Sequence, residues 1–177
     1  MTWLLLIYSV PAQPSRKRAT IWREIKRAGA VYLRDGVCAL PERERNLALF
    51  MQLASQITEF GGKASVARSV EFDEEKSESI IGSARNARAA EYADLKHELL
   101  GFQAHLAHEL GHRQLTFSDL EELEADLAKL RLWSAQIETR DFTGEPAAIE
   151  TSALLDKCEQ EIAAFLEEAY KQDTTFA

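Results

Sequence analysis

Trp3-Leu4-Leu5-Leu6-Ile7-Tyr8-Ser9-Val10, closed by Pro11, is the stretch that decides the fold. It is a short, almost unbroken apolar run with the length and punctuation of a buried strand rather than a helix. Pro14-Ser15 then opens a helix. Ser15 is placed to accept a hydrogen bond from a free N–H of the first turn, Ile21, Trp22, Ile25 and Ala28 recur at helical spacing, and Gly29 supplies the stop. The other face carries Arg16, Lys17, Arg18, Arg23, Lys26 and Arg27. Ala30-Val31-Tyr32-Leu33 and Val37-Cys38-Ala39-Leu40 form a second extended segment before Pro41, with Asp35-Gly36 as a bend, bulge or hairpin turn. A strand-helix-strand unit is therefore in place by residue 41.

Beyond it, Leu47, Phe50, Met51, Ala54 and Ile57 mark the apolar face of a helix running to about residue 60, where Gly61-Gly62 ends it. A third strand passes through Ala64, Val66, Ser69, Val70 and Phe72 and stops at Asp73-Glu74-Glu75. No fourth strand is evident from the pattern. The order predicts an α+β protein whose residues 1–73 form a ferredoxin-like βαβαβ domain, its sheet covered on one face by two helices. From about residue 85 the chain reads as helical to its end. Tyr92, Leu95, Leu99, Phe102 and Leu106 form one core stripe, Leu120, Leu123, Leu127, Leu130 and Ile137 a second, and Leu155, Cys158, Ile162, Phe165 and Ala169 a third. Ser118 with Glu121 has the pattern of a capping box, and Gly144-Glu145-Pro146 breaks the chain before the last helix. Residues 74–177 are thus expected as an acidic, antiparallel three-helix bundle.

Charge separates the two parts. Residues 1–73 hold eleven basic against seven acidic residues, net +4, and residues 74–177 hold ten against twenty-two, net −12, which together give the −8 of the whole chain. An anion-facing first part and a solvated or partner-facing second part follow from that asymmetry. Cys38 and Cys158 show no CxxC or paired framework, as expected of two reduced, buried thiols in a cytoplasmic protein. The apolar start has neither a basic stretch before it nor a small-residue cleavage site after it, and no window approaches the roughly twenty apolar residues of a membrane span. No membrane partner is expected.

The run at residues 3–15, Trp22-Arg23, Gly29-Ala30, Asp35-Gly36-Val37 and Leu40-Pro41 resemble the N-terminal domain of the ChrB family. The resemblance continues through Leu120-Glu121-Glu122-Leu123-Glu124, Leu127, Leu130, Trp133 and Arg140-Asp141-Phe142. It implies a role in bacterial chromate resistance, where ChrB is regarded as a regulator of the efflux operon, in proteins that commonly carry a further C-terminal domain. The layout of the first domain is also similar to the CRISPR-associated endoribonucleases of spacer acquisition and to the middle domain of the repressor PaaX. In those nucleases an aspartate directly follows the first-strand tyrosine. Here Ser9 follows Tyr8, so the fold is carried over and the nuclease chemistry is not.

Two segments are candidates for chemistry. His108-Glu109-Leu110-Gly111-His112 matches the HExxH pattern, in which two imidazoles bind zinc and the glutamate activates water. His97, His105, His108 and His112 share one helical face, opposite the apolar stripe and away from the walled cleft that a zinc hydrolase needs. Glu138 and Glu145 stand at separations suited to a third ligand, and His105, His108 and His112 could bind a metal without catalysis. Most of such a face is ordinarily solvated surface.

The second candidate is the basic helix. Arg16, Lys17 and Arg18 oppose the helix dipole in its first turn, an arrangement that a bound anion relieves. Ser15, Arg16, Lys17, Arg18, Arg23, Lys26 and Arg27 are therefore the expected contacts to DNA phosphate or to a chromate-like oxyanion, with a solubilising face as the plain alternative. Trp22 and Trp133 are expected in cores and Trp3 as a cap on the first strand. The expectation is a chromate-response regulatory or accessory protein with no cofactor. A zinc-dependent hydrolase built on the HELGH segment is one rival, and a non-catalytic module that forms a homodimer through an exposed sheet edge is the other.

Overall fold

In the computed structural model the described residues are 1–112 and 117–173, apart from the side chains of Leu110, His112, Phe117 and residues 168–173. The elements are β1 (Trp3–Ser9), α1 (Ser15–Arg27), β2 (Val31–Arg34), β3 (Val37–Pro41), α2 (Glu44–Glu59), β4 (Lys63–Val70), α3 (Glu74–His112), α4 (Phe117–Arg140) and α5 (Ala147–Asp173). They divide into two compact units, Met1–Asn86 with Arg140–Thr143, and Ala87–Thr139 with Gly144–Ala177. The class is α+β, a four-stranded antiparallel sheet followed by a helical region.

The sheet has the order β2-β3-β1-β4, with every neighbouring pair antiparallel. That is the split βαββαβ arrangement of the ferredoxin-like fold. The fourth strand arises because the second extended segment is a hairpin: β2 and β3 are joined at Asp35-Gly36, with a register shift between Tyr32 and Arg34. Gly36 takes φ +71°, the left-handed conformation that lets so short a turn close.

β1 is paired on both sides and buried on both faces, which is why its sequence is a run rather than an alternation. Leu4 and Leu6 face a core built with Ile21 and Ile25 of α1, Phe50, Leu53 and Ile57 of α2, and Cys38 and Leu40 of β3. On the other face Trp3 is fully buried with Ala39 and Ile80, against Leu5, Val70, Phe72 and Phe142. The Trp3 ring lies 6.5 Å from Phe72 and 6.1 Å from Phe142, the latter edge-on, so Trp3 anchors a second core rather than capping a strand. The sheet is thus covered on part of its second face too. Coverage ends before Ile7, which is 44% exposed.

That second core exists because α3 begins at Glu74, about a turn and a half before Ile80 and well before residue 85. Asp73 is its cap: its Oδ1 accepts from the Lys76 N–H at 2.7 Å, and its carbonyl accepts from the Ser77 N–H at 3.0 Å. The same residues that end a strand pattern therefore start a helix. Just upstream, the Ser69 N–H donates to Glu42 Oε2 at 2.9 Å and Arg68 Nε to Glu42 Oε1 at 3.3 Å. This clasp holds a bulge of edge strand β4 in which Ser69 has φ +53°.

In the second unit, Tyr92, Leu95, Leu99, Phe102 and Leu106 of α3 pack with Leu123, Leu127 and Ile137 of α4 and Leu155, Cys158 and Ile162 of α5. These buried residues of the three stripes read from sequence form one core, with Leu130 packed against it, while Leu120 and Phe165 are not part of it and the side chain of Ala169 lies outside the described residues. Trp133 packs against it, half-buried. Lys96 with Glu150, and Arg131 with Asp156 and Glu159, add exposed ion pairs between helices, each worth little against that apolar burial. Ser118 lies inside α4, and the residues just upstream, 113–116, lie outside the described ones. Among the described residues no helix is long and apolar enough to cross a membrane.

The glycines give two stability predictions of opposite sign. A Cβ on Gly36 would stand 2.4 Å from the Tyr8 carbonyl oxygen, and one on Gly62 would stand 2.3 Å from that of Ser9. Gly36→Ala or Gly62→Ala is expected to destabilise the first unit by about 2 kcal/mol. Gly101→Ala, in mid-helix with nothing within 4 Å, should stabilise the second by about 0.5–1 kcal/mol. Urea midpoints read by circular dichroism check all three.

Candidate anion-binding groove

Helix α1 starts one residue earlier than a Ser15 cap requires. Pro14 occupies the cap position with extended backbone, φ −75° and ψ 139°, and no side chain caps the helix. Ser15 is the first helical residue, and its hydroxyl does not cap. The proline ring already holds φ where that position needs it, and the Lys17 N–H donates to the Pro14 carbonyl at 3.1 Å. No acidic residue lies in the first turn, where Arg16, Lys17 and Arg18 cluster, whereas Lys26 and Arg27 in the last turn suit the dipole.

The basic residues do not act as one patch. Lys17 Nζ sits 5.0 Å above the Phe60 ring. Arg23 folds onto its own helix, donating to the Ala19 carbonyl at 3.3 Å and to Thr20 Oγ1 at 3.5 Å, and Arg27 pairs with Glu24 at 2.8 Å. Arg16, Arg23 and Arg27 recur at helical spacing on an exposed stripe. Ser15 and Arg18 belong to another face, which borders a groove of about 850 Å³.

Three elements build that groove. The end of β1 supplies Tyr8, Ser9 and Val10, α1 supplies Ser15, Arg18, Ala19 and Trp22, and the β2–β3 hairpin supplies Tyr32, Asp35 and Gly36. Trp22 is 52% exposed and lines the groove, against the expectation that it is core. The reason is angular: α1 buries Ile21 and Ile25, and Trp22, about 100° around the helix from Ile21, falls off that stripe. Lys26 Nζ lies 5.9 Å from its ring centre.

On the groove floor the Tyr8 and Tyr32 hydroxyls are hydrogen-bonded at 3.0 Å. Burial pushes both phenols above their ordinary pKa, and for Tyr32 the bond to Tyr8 adds to the rise. Both therefore stay neutral at physiological pH. Tyr8, Tyr32, Asp35 and Trp22 are absent from the residues expected from sequence. Tyr8 was readable, since it shares strand parity with Leu4 and Leu6, but Tyr32 and Asp35 reach it only through the hairpin. The Tyr8 N–H donates to the Gly36 carbonyl at 2.7 Å, which ties the hairpin turn to this end of β1.

The histidine segment lies in the second unit. His105 and His108 are exposed, His105 Nδ1 is 3.9 Å from Glu109 Oε1, and the side chain of His112 lies outside the described residues. His97 and His105 border a second open groove, of about 660 Å³, with Asp126 and Lys129. Among the described residues no group of three His, Cys, Asp or Glu side chains is placed to hold a metal ion.

The phenol pair generates a pH prediction. With native pKa values above the unfolded one, the folded state keeps protons that the unfolded chain loses, so the pair's contribution is intact below about pH 10 and falls as pH rises past it. Tyrosinate absorbance should show these two phenols ionising together with unfolding, at higher pH than an exposed tyrosine. Tyr32→Phe, which removes one partner of the bond, should cost about 1 kcal/mol at neutral pH in a urea titration.

A family model described as Protein ChrB, N-terminal, matches residues 18–176. Protein ChrB of Cupriavidus metallidurans (strain CH34) is 35% identical over 97 residues, which span 55% of this chain and 29% of that protein. The chain therefore aligns with under a third of that relative's length. No solved structure matches the chain. The family match runs from the first turns of α1 to the last helix, taking in β2, β3 and β4 and the helical region, and the chain belongs to the ChrB N-terminal family.

Proposed function

We propose that the chain is a regulatory or accessory protein of the chromate response in the cytoplasm, and that it contacts DNA phosphates through the exposed face of α1. The observation that carries this reading is the stripe of Arg16, Arg23 and Arg27, exposed on a helix whose first turn holds no carboxylate. Arginine on such a face gives the sequence-independent part of DNA affinity and orients the protein on the duplex. The −12 carried by residues 74–177 repels a duplex from the rest of the chain and so favours docking by one face. Family membership supports the chromate context. Both cysteines are buried and free, as suits a reducing compartment.

The test is a salt titration of binding to promoter DNA from a chromate-efflux operon. Neutralising Arg16, Arg23 and Arg27 to glutamine should weaken binding more than tenfold near 0.1 M salt and flatten the plot of log K against log salt by about 2–3 units. An unchanged slope rejects the surface. Chromate is added in the same assay: release of DNA at concentrations where chloride has no effect would favour an oxyanion site over a purely phosphate-contacting one.

A further inference from the structure

We propose that the groove between α1 and the hairpin holds one nucleotide unit, its base stacked on Trp22 and its phosphate at Arg18, either as a free nucleoside monophosphate or as one position of a single strand. This does not rest on the duplex-contacting stripe, because Arg16, Arg23 and Arg27 are not among the residues that line the groove.

The stacking surface comes first. Trp22 leaves about half of its area in solvent although the same helix buries two isoleucines completely, and base–aromatic stacking is a sequence-tolerant source of affinity. Arg18 lies one turn before it and Lys26 one turn after, with Lys26 Nζ at 5.9 Å from the ring. The indole is thus flanked by positive charge on its own helix, so a planar ligand that carries an anion is favoured over a neutral ring.

The groove is also polar in a particular sense. Arg18 and the Ser15 hydroxyl stand on the helix wall, and Asp35 stands on the hairpin wall. A tetrahedral oxyanion would satisfy Arg18 but would face the Asp35 carboxylate as a like charge. A nucleotide answers both walls, since sugar hydroxyls or an exocyclic amine donate to Asp35 while the phosphate accepts from Arg18. Tyr8 and Tyr32, kept neutral by burial, give the floor hydroxyls that both donate and accept. The volume of about 850 Å³ lies within the range of small-molecule sites and far exceeds a single oxyanion.

Calorimetric titration of the full chain with AMP, adenosine, inorganic phosphate and a short single-stranded oligonucleotide tests this. AMP or the oligonucleotide should bind with one site per chain, and adenosine and phosphate alone each about tenfold or more weaker, since each lacks one of the two contacts. Saturation by AMP identifies a free nucleotide as sufficient, and binding of the oligonucleotide alone identifies a strand. Trp22→Ala and Arg18→Ala should each weaken binding about tenfold or more, and Trp22→Phe should restore most of it. Both side chains are exposed, so helicity and urea midpoint should stay at wild-type values. Absence of binding by either nucleotide form, or variants that bind like wild type, overturns the proposal. Retention of promoter DNA by the Trp22→Ala protein, measured in parallel, shows which of the two readings has failed.

Discussion

The hydrogen bonding of β1 along both of its edges is the constraint on which the first unit depends. β1 pairs with β3 from Trp3 to Ile7 and with β4 from Trp3 to Ser9, so most of its backbone polarity is met inside the sheet and both faces are free to be apolar. That is what allows two cores to share one strand. Leu4 and Leu6 tie it to α1 and α2, while Trp3 and Leu5 tie it to the opening turns of α3. The Trp3 indole Nε1 is buried without a hydrogen-bond partner, a cost of the order of 1–3 kcal/mol that the large apolar area of the ring offsets.

The position of the groove follows from the same strand. The helix-side core ends where Tyr8 replaces leucine, and from there the apolar packing gives way to hydroxyls, a carboxylate and an exposed indole. A site at the end of a central strand is fixed by sheet geometry rather than by loop conformation, which keeps its floor rigid while α1 presents longer, more adaptable side chains. The division of α1 into an outward arginine stripe and a groove-facing Ser15, Arg18 and Trp22 separates two groups of basic residues on one helix. A single tally of basic residues obscures that separation.

Much of this was legible in the residues. The apolar run, the proline and glycine punctuation and the helical stripes fix the order of elements and the α+β class, because burial and turn chemistry act locally. Most of the bundle core was legible for the same reason, since the residues of the three helical stripes supply its buried cluster. Four features were not legible. The hairpin at Asp35-Gly36 has the same local signal as a bulge, and only pairing across the sheet decides between them. The start of α3 was hidden because Asp73 serves equally well to end a strand and to cap a helix. Trp22 was misplaced because adjacent residues on a helix differ by about 100°, so beside Ile21 one of the two had to leave the core, and periodicity alone does not say which. Tyr32 and Asp35 join the groove through long-range pairing, a contact that no local spacing encodes.

The two glycines at the end of β1 have a consequence for how such a site can diverge. Gly36 stands against the Tyr8 carbonyl and Gly62 against that of Ser9, each too close for any side chain. The floor is therefore clamped by main chain from both sides, and substitution there breaks the fold before it can retune a ligand. Variation without that penalty is confined to the helix wall, at Ser15, Arg18 and Trp22, and to the hairpin tip at Asp35. In a groove built this way the residues open to change are those of the walls. A change of specificity would be written in α1 and the hairpin, while the strand between them keeps the same shape.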